Sequence, residues 1–387
     1  MVGSGHSFTP LFRTDSVLLS LDRLRGLIGV ENGVAHLWAG TKLKELGKTL
    51  LEKGWAQESL GDINAQSIAG AISTGTHGTG IQFGNLSSQV KGLTLVTAAG
   101  NIIDCSVAEH PELFKAAQVS LGSLGIIVQV RLRVVPAFQL HYRSCRLPLD
   151  ETLKRLNELK RDHRHFEFFW FPHTNKVQAK FLNKTDPIPA KNRRWIPFYK
   201  LAVENGVFRC LSEGARLFPR LSATVSKLSA QRVPVNEETG YSHCLFTTPR
   251  LVRFHEMEYS IPAEQLASVV EEIQSCIHKH RINVHFPVEC RYVKGDDIWL
   301  SPAYGRDSAF VAVHMYKGMP YREYFDAVEE IFLRYGGRPH WGKMHSLTAD
   351  RLREIYPKWN DFLKIRSGMD PQGLFLNPYL NQLFGMK

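Results

Sequence analysis

The first residues of the chain form a glycine-rich loop of a kind that can hold a phosphate. The loop comprises Val2, Gly3, Ser4, Gly5, His6 and Ser7. Glycine lets backbone N–H groups approach an anion closely, and the ring of His6 supplies a nitrogen that can be modified or can coordinate a ligand. Taken alone, such a loop is more often an ordinary tight turn, because turns rich in Gly and Ser are common.

A longer segment, residues 67–80, combines small and hydroxyl side chains without one acidic residue. Its backbone N–H groups and hydroxyls can donate to a pyrophosphate, and no carboxylate repels the anion. We expect this segment to bind a pyrophosphate-bearing cofactor, and the alternative is a close-packed structural crossing. The candidate binding residues are Gly70, Thr74, Gly75, Thr76, His77, Gly78, Thr79 and Gly80.

Glu289 and Arg291 lie two positions apart in an apolar and aromatic run. On a strand, residues two apart share a face, so the two side chains project together. A carboxylate beside a guanidinium can grip a polyhydroxy substrate, and the guanidinium keeps a fixed positive charge where anionic character develops. The alternative interpretation is an ordinary same-face ion pair.

Lys343 follows an aromatic residue and a glycine, so its ammonium can approach a ligand and polarise an oxygen. A lone lysine is more often solvated surface. His314 lies on a predicted strand, where a histidine is more often a satisfied core residue than a catalytic one.

The composition is that of an ordinary globular protein with a basic balance. The 387 residues exceed one typical domain of ~100–200 residues, so two domains are expected. The six cysteines are scattered without a zinc-ligand pattern and indicate free thiols in a reducing, cytoplasmic compartment. No apolar run is long enough to suggest a membrane span, and the N-terminal residues do not resemble a secretory signal.

The formal net charge of +11 is compatible with nucleic acid, an acidic membrane surface or an anionic cofactor. No nucleic-acid motif supports the first of these partners. Between Lys191 and Arg232, basic residues alternate with aromatic ones and far outnumber Glu204 and Glu213. This segment is typical of a membrane-surface helix or of a solvated helical face.

The predicted elements divide the chain near residue 140. The first part mixes short strands and helices without regular βαβ repetition, which excludes a standard dinucleotide-binding domain. Its predicted strands are 17–21, 35–39, 92–98, 102–105 and 126–135, and its predicted helices are 41–53 and 109–121. The second part is predicted to be an antiparallel sheet backed by helices, with strands 166–171, 251–260, 284–293 and 310–316 and helices 150–161, 263–280 and 321–335.

Seven segments, in order, resemble the aldonolactone oxidoreductases, which include L-gulonolactone oxidase, D-arabinonolactone oxidase and, more distantly, alditol oxidase, within the vanillyl-alcohol-oxidase type of flavoproteins. The resemblance covers nearly the whole chain. The matching segments are 2–7, 74–80, 121–126, 170–174, 295–297, 337–341 and 375–380.

This resemblance implies an α+β, two-domain FAD-linked oxidase. It places a PCMH-type FAD-binding domain over residues 1–140 and a substrate domain with an antiparallel sheet backed by helices over residues 141–387. The C-terminal residues 365–387 are expected to pack back near the flavin. His6 matches the histidine that is joined covalently to FAD in relatives, and Gly125, Ile126 and Asn377 join the cofactor-binding residues.

The resemblance also implies roles in catalysis. Glu289, Arg291 and Lys343 match substrate-site residues, and His314 matches a pocket histidine of alditol oxidase. The expected substrate is a gulono-, galactono- or arabinono-1,4-lactone, and linear alditols are the least favoured alternative. O2 is the expected acceptor, giving H2O2, and a cytochrome or quinone is the alternative.

Relatives carry a strand-helix-strand unit ahead of the glycine-rich loop, and a crossover of that kind needs ~30 or more residues. The FAD-binding domain is therefore expected to be incomplete at its N-terminus, through a misassigned initiation codon, a shortened sequence or a true deletion. A true deletion would leave a sheet edge and apolar surface uncovered and would weaken flavin retention. An inactive fragment that acts only by binding is the third functional hypothesis.

Overall fold

The computed structural model describes residues 1–186, 196–247 and 252–386. Residues 191–195, at the start of the basic segment, and residue 251, at the start of one predicted strand, lie outside these ranges.

The first domain is built around a five-stranded antiparallel sheet with the strand order β1-β2-β6-β4-β5. A short second ladder joins β3 to β7. The strands are β1 (Leu27–Glu31), β2 (Val34–Trp38), β3 (Trp55–Ala56), β4 (Val90–Val96), β5 (Ile102–Ser106), β6 (Ile126–Arg133) and β7 (Val135–Pro136), and the helices are α1 (Leu43–Glu52), α2 (Ile68–Ser73) and α3 (Pro111–Ala117).

The second domain is built on an eight-stranded antiparallel sheet with the order β11-β8-β10-β9-β13-β14-β12-β15. Its strands are β8 (Gln139–Leu147), β9 (His165–Trp170), β10 (Val177–Thr185), β11 (Glu237–Tyr241), β12 (Phe254–Pro262), β13 (Val288–Val293), β14 (Ser308–Tyr316) and β15 (Arg338–Pro339). Its helices are α4 (Leu149–Lys154), α5 (Leu156–Asp162), α6 (Ile196–Leu217), α7 (Ser222–Arg232), α8 (Ser242–Leu245), α9 (Leu266–Lys279), α10 (Arg322–Arg334), α11 (Ala349–Ile355), α12 (Trp359–Met369) and α13 (Pro378–Phe384).

The two faces of the large sheet differ in chemistry because side chains alternate along each strand. Cys290 and Tyr292 of β13 pack in an apolar core with residues of α9 and α10. Glu289 and Arg291 of the same strand lie on the opposite face, and both are buried. This polar face is directed towards the first domain, since the Thr79 hydroxyl donates to Phe166 O (2.5 Å) and Gly80 N–H donates to Tyr292 O (2.8 Å).

The C-terminal helices belong to the core of the first domain. Trp359 and Phe362 of α12 and Leu380 of α13 are buried in the same apolar cluster as Leu37 and Ile72. The chain therefore returns to the first domain after completing the large sheet.

Two predicted elements differ in the structure. Residues 17–21 are not a strand of a sheet: Ser20 forms one isolated bridge with Val2, and Val17, Leu18 and Leu19 are exposed. The predicted helix 150–161 is divided into α4 and α5 at Arg155, whose backbone (φ −101°, ψ 8°) leaves the helical region.

Candidate active site

The glycine-rich N-terminal loop forms one wall of a cleft with about 890 Å³ of empty space that opens to solvent. The opposite wall comes from residues 66–74 at and around α2. Of the predicted cofactor-binding residues, those that line this cleft are Val2, Gly3, Ser4, Gly5, His6, Ser7, Gly70 and Thr74.

Contacts from both domains hold the loop in place. Phe8 N–H donates to Gly342 O (2.8 Å), and the Thr9 hydroxyl donates to Trp341 O (3.1 Å). On the other side, the Ser4 hydroxyl donates to Ala65 O (2.7 Å), and Lys42 Nζ donates to Ser4 Oγ (2.9 Å). The loop is thus a bridge between the first domain and the segment that carries Lys343.

The lining of the cleft fits an extended, phosphate-bearing group. A Cβ at Gly3 would lie 2.5 Å from Ser67 Oγ, so a side chain there would close the two walls on each other. Among the described residues that line the cleft, Asp22 is the one carboxylate, and Lys42 Nζ pairs with it at 2.8 Å. An anion therefore meets backbone, hydroxyls and a lysine rather than uncompensated negative charge.

His6 projects into the cleft and is exposed. Partial burial, and then the positive charges of Lys343 and Lys42, lower the pKa of the His6 ring. A neutral imidazole keeps a lone pair on one nitrogen, which is the form that can attack a carbon atom of a ligand. The N-terminal loop also lies near Lys343, whose Nζ is 5.1 Å from the centre of the Phe8 ring.

The remaining predicted cofactor residues have structural positions away from the cleft lining. Gly75, Gly80 and Gly125 adopt φ angles of 71°, 127° and 152°, which favour glycine. Thr76 Oγ1 accepts from the Gln66 amide (3.2 Å), and a Cβ at Gly78 would lie 2.5 Å from Leu60 O. Of these residues, Gly75, Thr79 and Gly80 contact the second domain, at Pro302, Phe166 and Tyr292 respectively. Ile126 begins β6 next to the cleft residue Ile127.

Asn377 connects the C-terminus to the N-terminal loop. Its Oδ1 accepts from Leu380 N–H (2.8 Å) and caps α13. Its Nδ2 donates to the carbonyl oxygens of Pro10, Leu11 and Arg13 at 3.0, 3.1 and 2.9 Å. The residue therefore acts on the cleft through the loop that it holds.

Arg291 lies at the centre of a buried ion cluster. Its Nε donates to Glu167 Oε2 (2.8 Å), and its Nη2 pairs with Asp62 Oδ2 (3.1 Å) and with Glu289. Lys180 Nζ lies 3.3 Å from Glu167 Oε1. Burial alone would lower the pKa of Arg291, but the three carboxylates raise it well above its usual range, so the guanidinium stays charged. The prediction that Glu289 and Arg291 share a face is confirmed.

Lys343 and His314 meet at a carboxylate that the sequence reasoning missed. Glu256 on β12 lies opposite His314 on β14 and accepts from Lys343 Nζ at 2.5 Å. His314 Nδ1–H donates to Pro287 O (3.0 Å), which directs Nε2 to Glu256 Oε1 at 3.5 Å. The Lys343 ammonium also lies 5.1 Å from the centre of the Phe8 ring, next to the cofactor loop.

A third cluster of buried polar side chains is formed by His77, Glu258 and His340. His77 Nδ1–H donates to Gly78 O (2.8 Å), and His77 Nε2 lies 3.3 Å from Glu258 Oε1, two residues from Glu256 on β12. Together with His340, these side chains bring ligand atoms within 4.8 Å of one another, a spacing that a metal ion can use. However, His340 Nδ1 accepts from Gly342 N–H (3.1 Å), so Nε2 keeps the proton that a metal would have to displace.

The chain matches two known families of protein domains. The model of the D-arabinono-1,4-lactone oxidase family matches residues 130–383, and that of an FAD binding domain matches residues 1–106. The chain belongs to the aldonolactone oxidoreductase family. It is similar to the L-gulono-1,4-lactone dehydrogenase of Mycobacterium tuberculosis (strain ATCC 25618 / H37Rv), with 39% identity over 386 residues that cover 99% of this chain and 90% of the relative.

A second relative is the L-gulonolactone oxidase of Scyliorhinus torazame, with 34% identity over 401 residues, covering 99% of this chain and 89% of that protein. Among solved structures, cholesterol oxidase from B. sterolicum superimposes with a TM-score of 0.80 at 17% identity, covering 99% of this chain and 89% of the other. That likeness confirms the two-domain fold of FAD-linked oxidases. As a member of this family, the protein is an FAD-dependent oxidoreductase, as the sequence predicted.

Sequence reasoning missed several members of the site, which are Asp62, Glu167, Lys180, Glu256, Glu258 and His340 as a partner of His77. For Glu256 and Glu258 a signal existed, because two acids at alternate positions of the apolar run Phe254–Pro262 must share a face. For Asp62, no local sequence pattern indicates that its partner is Arg291, far along the chain.

Proposed function

We propose that the protein oxidises a secondary hydroxyl of a sugar-1,4-lactone of the gulono, galactono or arabinono type. The names of its relatives support this substrate class. The observation that carries the proposal is the adjacency of the cofactor loop and the polar sheet face. Phe8 N–H donates to Gly342 O at 2.8 Å, and the ammonium of the next residue, Lys343, lies 5.1 Å from the centre of the Phe8 ring.

Bound FAD supplies an acceptor for the hydride of the substrate C–H bond. The chain must then orient the hydroxyl and receive its proton. Arg291 presents a permanent charge whose position is fixed by Glu167 and Asp62, and Lys343 is fixed by Glu256. We assign both cations to the substrate oxygen and Glu289 to the orientation of the neighbouring hydroxyls.

The hydroxyl proton has a route into the sheet. Because Pro287 O fixes the Nδ1–H tautomer of His314, Nε2 offers its lone pair towards Glu256. A proton that reaches the Glu256 carboxylate can therefore pass to His314 Nε2. In this proposal His314 accepts the proton, which agrees with the catalytic role that the family resemblance implies.

Replacement of Arg291 tests the proposal. Anaerobic mixing of the holoenzyme with L-gulono-1,4-lactone measures flavin reduction alone, and we expect Arg291→Ala to slow it by ~100-fold or more. Arg131→Ala removes an arginine that pairs with Asp104 in the first domain and serves as the control. Unchanged reduction in a folded Arg291→Ala enzyme would contradict the assignment.

The final electron acceptor requires its own measurement. We propose O2, with release of H2O2, and a dehydrogenase that uses a cytochrome or quinone is the second candidate because the relative at 39% identity is named a dehydrogenase. Reoxidation of the reduced enzyme by air, compared with reoxidation by an artificial dye, separates the two. Fast reoxidation by air with stoichiometric peroxide supports the oxidase, and fast reaction with the dye alone supports the dehydrogenase.

Covalent attachment of FAD through His6 is a further part of the proposal. It is supported by the position of His6 in the cleft and by the lowered pKa of its ring. After acid precipitation, flavin colour should remain in the pellet of the wild-type protein and move to the supernatant for His6→Ala. Colour in the wild-type supernatant would show that the cofactor is bound noncovalently.

We also propose that the basic segment 191–232 contacts a membrane surface. Within the described part of the chain, no helix has the length and apolar character needed to cross a bilayer. Leu217, Phe218 and Leu221 are exposed where α6 turns towards α7, with Arg216 and Arg220 beside them. We propose peripheral contact of a cytoplasmic protein with an anionic membrane, which co-sedimentation with acidic vesicles tests, using Leu217→Ser/Phe218→Ser as the negative variant.

A further inference from the structure

A second cavity lies on the polar face of the large sheet, beside Arg291. It holds about 380 Å³ of empty space, part of it open to solvent. The charged and phenolic side chains of its lining come from four strands and one loop of the first domain: Tyr142, Lys180, Glu167, Arg291 and Asp62, and Thr79 adds a hydroxyl. The apolar lining is Leu60, Leu182, Leu245 and Phe246.

The charges around this cavity are of both signs and nearly balanced. Arg291 and Lys180 contribute two positive charges, while Asp62, Glu167 and the adjacent Glu289 contribute three negative ones. Burial alone would lower the pKa of Lys180, but Glu167 and Asp62 raise it, so the lysine stays protonated. With all five groups ionised, the cluster carries a net charge of −1.

The charges around this cavity favour a neutral ligand over an anionic one. A neutral polyhydroxy group can donate to the carboxylates and accept from the cations, whereas an anion would add negative charge to a buried cluster that is already negative. The apolar wall can cover the C–H side of a short carbon chain. A neutral lactone therefore fits the cavity better than the aldonate that forms when the lactone ring opens.

We propose that this cavity binds the exocyclic hydroxyalkyl arm of the lactone, with Lys180 as the residue that determines arm length; the inference rests on the function proposed above. An ammonium has three N–H donors; the ion pair with Glu167 engages one, and the Phe169 ring, whose centre lies 4.2 Å from Nζ, faces a second, which leaves one for a hydroxyl. The arm of a six-carbon 1,4-lactone carries two hydroxyls, and that of a five-carbon 1,4-lactone carries one. Lys180 and Tyr142 hydrogen-bond the second hydroxyl, so the six-carbon lactone binds more tightly.

Binding without turnover tests this directly. The holoenzyme is first reduced chemically under anaerobic conditions, so that a lactone can bind but cannot be oxidised. Calorimetric titration then gives the Kd for L-gulono-1,4-lactone, D-arabinono-1,4-lactone and L-gulonate. We expect the six-carbon lactone to bind ~10-fold or more tightly than the five-carbon lactone, and L-gulonate to bind at least ~10-fold more weakly than its lactone.

Two variants change the cavity by different means. Lys180→Met keeps the length of the side chain and removes the donor, and we expect it to weaken the six-carbon lactone by ~10-fold while leaving the five-carbon lactone within about twofold. Phe246→Trp fills space from the apolar wall without altering a charge, and should produce the same selective loss. Lys176→Met, an exposed lysine next to β10, is the matched control.

The outcomes separate this inference from the proposed function. Equal weakening of both lactones in both variants, or no weakening of either, would overturn the assignment of the arm to this cavity, as would tighter binding of L-gulonate than of its lactone. If wild-type protein neither binds these lactones nor has its flavin reduced by them, the proposed function itself fails. Selective loss in Phe246→Trp supports the inference even if Lys180→Met does not fold.

Discussion

Glu258 on β12 and His77 of the first-domain loop form a buried pair across the interface of the two domains, with 3.3 Å between Oε1 and Nε2. Both side chains are almost completely buried. Burial alone would raise the pKa of Glu258, but His77 and His340 hold it below its usual range. The carboxylate therefore stays ionised and fixes the loop of residues 74–80 on the large sheet.

Replacing Glu258 with glutamine should destabilise the protein strongly. Removal of the carboxylate leaves the buried His77 ring without its partner, and a buried polar group in that position typically costs about 1–3 kcal/mol. Glu237→Gln disrupts an exposed pair of the same chemistry, with His141 at 2.7 Å, and should cost about 1 kcal/mol or less. Urea unfolding of both variants measures the two free energies, and equal losses would show that the Glu258 pair has no special structural part.

Gly3→Ala should reduce FAD retention without abolishing folding. Its Cβ would lie 2.5 Å from Ser67 Oγ, which caps α2, and 3.5 Å from Gly70 Cα. Such overpacking costs about 1–3 kcal/mol, so we expect the Kd of FAD to rise ~10-fold. Gly29→Ala, where a Cβ meets no atom within 4 Å, is the control. Retention of FAD by Gly3→Ala at the level of the control would argue against the cleft as the cofactor site.

Asn377→Asp keeps the cap of α13 and removes the three contacts to the N-terminal loop. The new carboxylate would face three carbonyl oxygens, all of which can only accept. Leaving these groups unpaired should destabilise the native state by about 2–3 kcal/mol and expose Arg13 to trypsin. Asn381→Asp on the same helix is the control, and equal cleavage rates at Arg13 in the two variants would contradict the anchoring of the loop.

The stability of the protein should fall with acid before most carboxylates titrate. Burial lowers the pKa of His165 and His340 to about 3 and that of His285 and His345 to about 4. Below about 6.5 the unfolded chain binds protons that the folded chain does not, so the free energy of unfolding decreases as pH falls. Each such histidine contributes ~1.4 kcal/mol per pH unit. Asp296, whose pKa burial raises to about 6, acts in the opposite direction between about 6 and 4.

Unfolding in urea at pH 7.5, 6.5 and 5.5 measures this slope. His285→Gln preserves a polar contact to Ser212 and should reduce the total loss of stability between pH 7.5 and 5.5 by about 1.4 kcal/mol, because an unfolded-chain histidine takes up most of its proton across this range. His280→Gln, at an exposed position, should leave it unchanged. An unaltered slope in His285→Gln would show that this histidine does not resist protonation in the native state.

The sequence was sufficient to predict the local part of this architecture. The hairpin of β4 and β5 and the common face of Glu289 and Arg291 follow from strand periodicity alone. Strands β8 and β10 were missed because polar residues interrupt their apolar pattern, among them Lys180 on the face towards the first domain. Residues 17–21 have strand propensity but pair only through the single bridge to Val2.

The site was less predictable, because its partners come from distant elements. Arg291 meets Glu167 through the pairing of β13 with β9, and Lys180 meets Glu167 through the pairing of β9 with β10. These registers depend on long-range strand pairing, which no local pattern specifies. The family resemblance singled out Arg291 and Lys343 as candidate catalytic residues, whereas the carboxylates that pair with them became apparent only in the folded chain.

Anaerobic addition of L-gulono-1,4-lactone to the wild-type holoenzyme tests the central claim most directly. If the protein is an FAD-dependent oxidoreductase of sugar lactones, the oxidised flavin absorbance disappears in a saturable reaction, with one lactone consumed per flavin. Flavin that stays oxidised with gulono-, galactono- and arabinono-1,4-lactones alike, in protein that has bound FAD, would contradict the account.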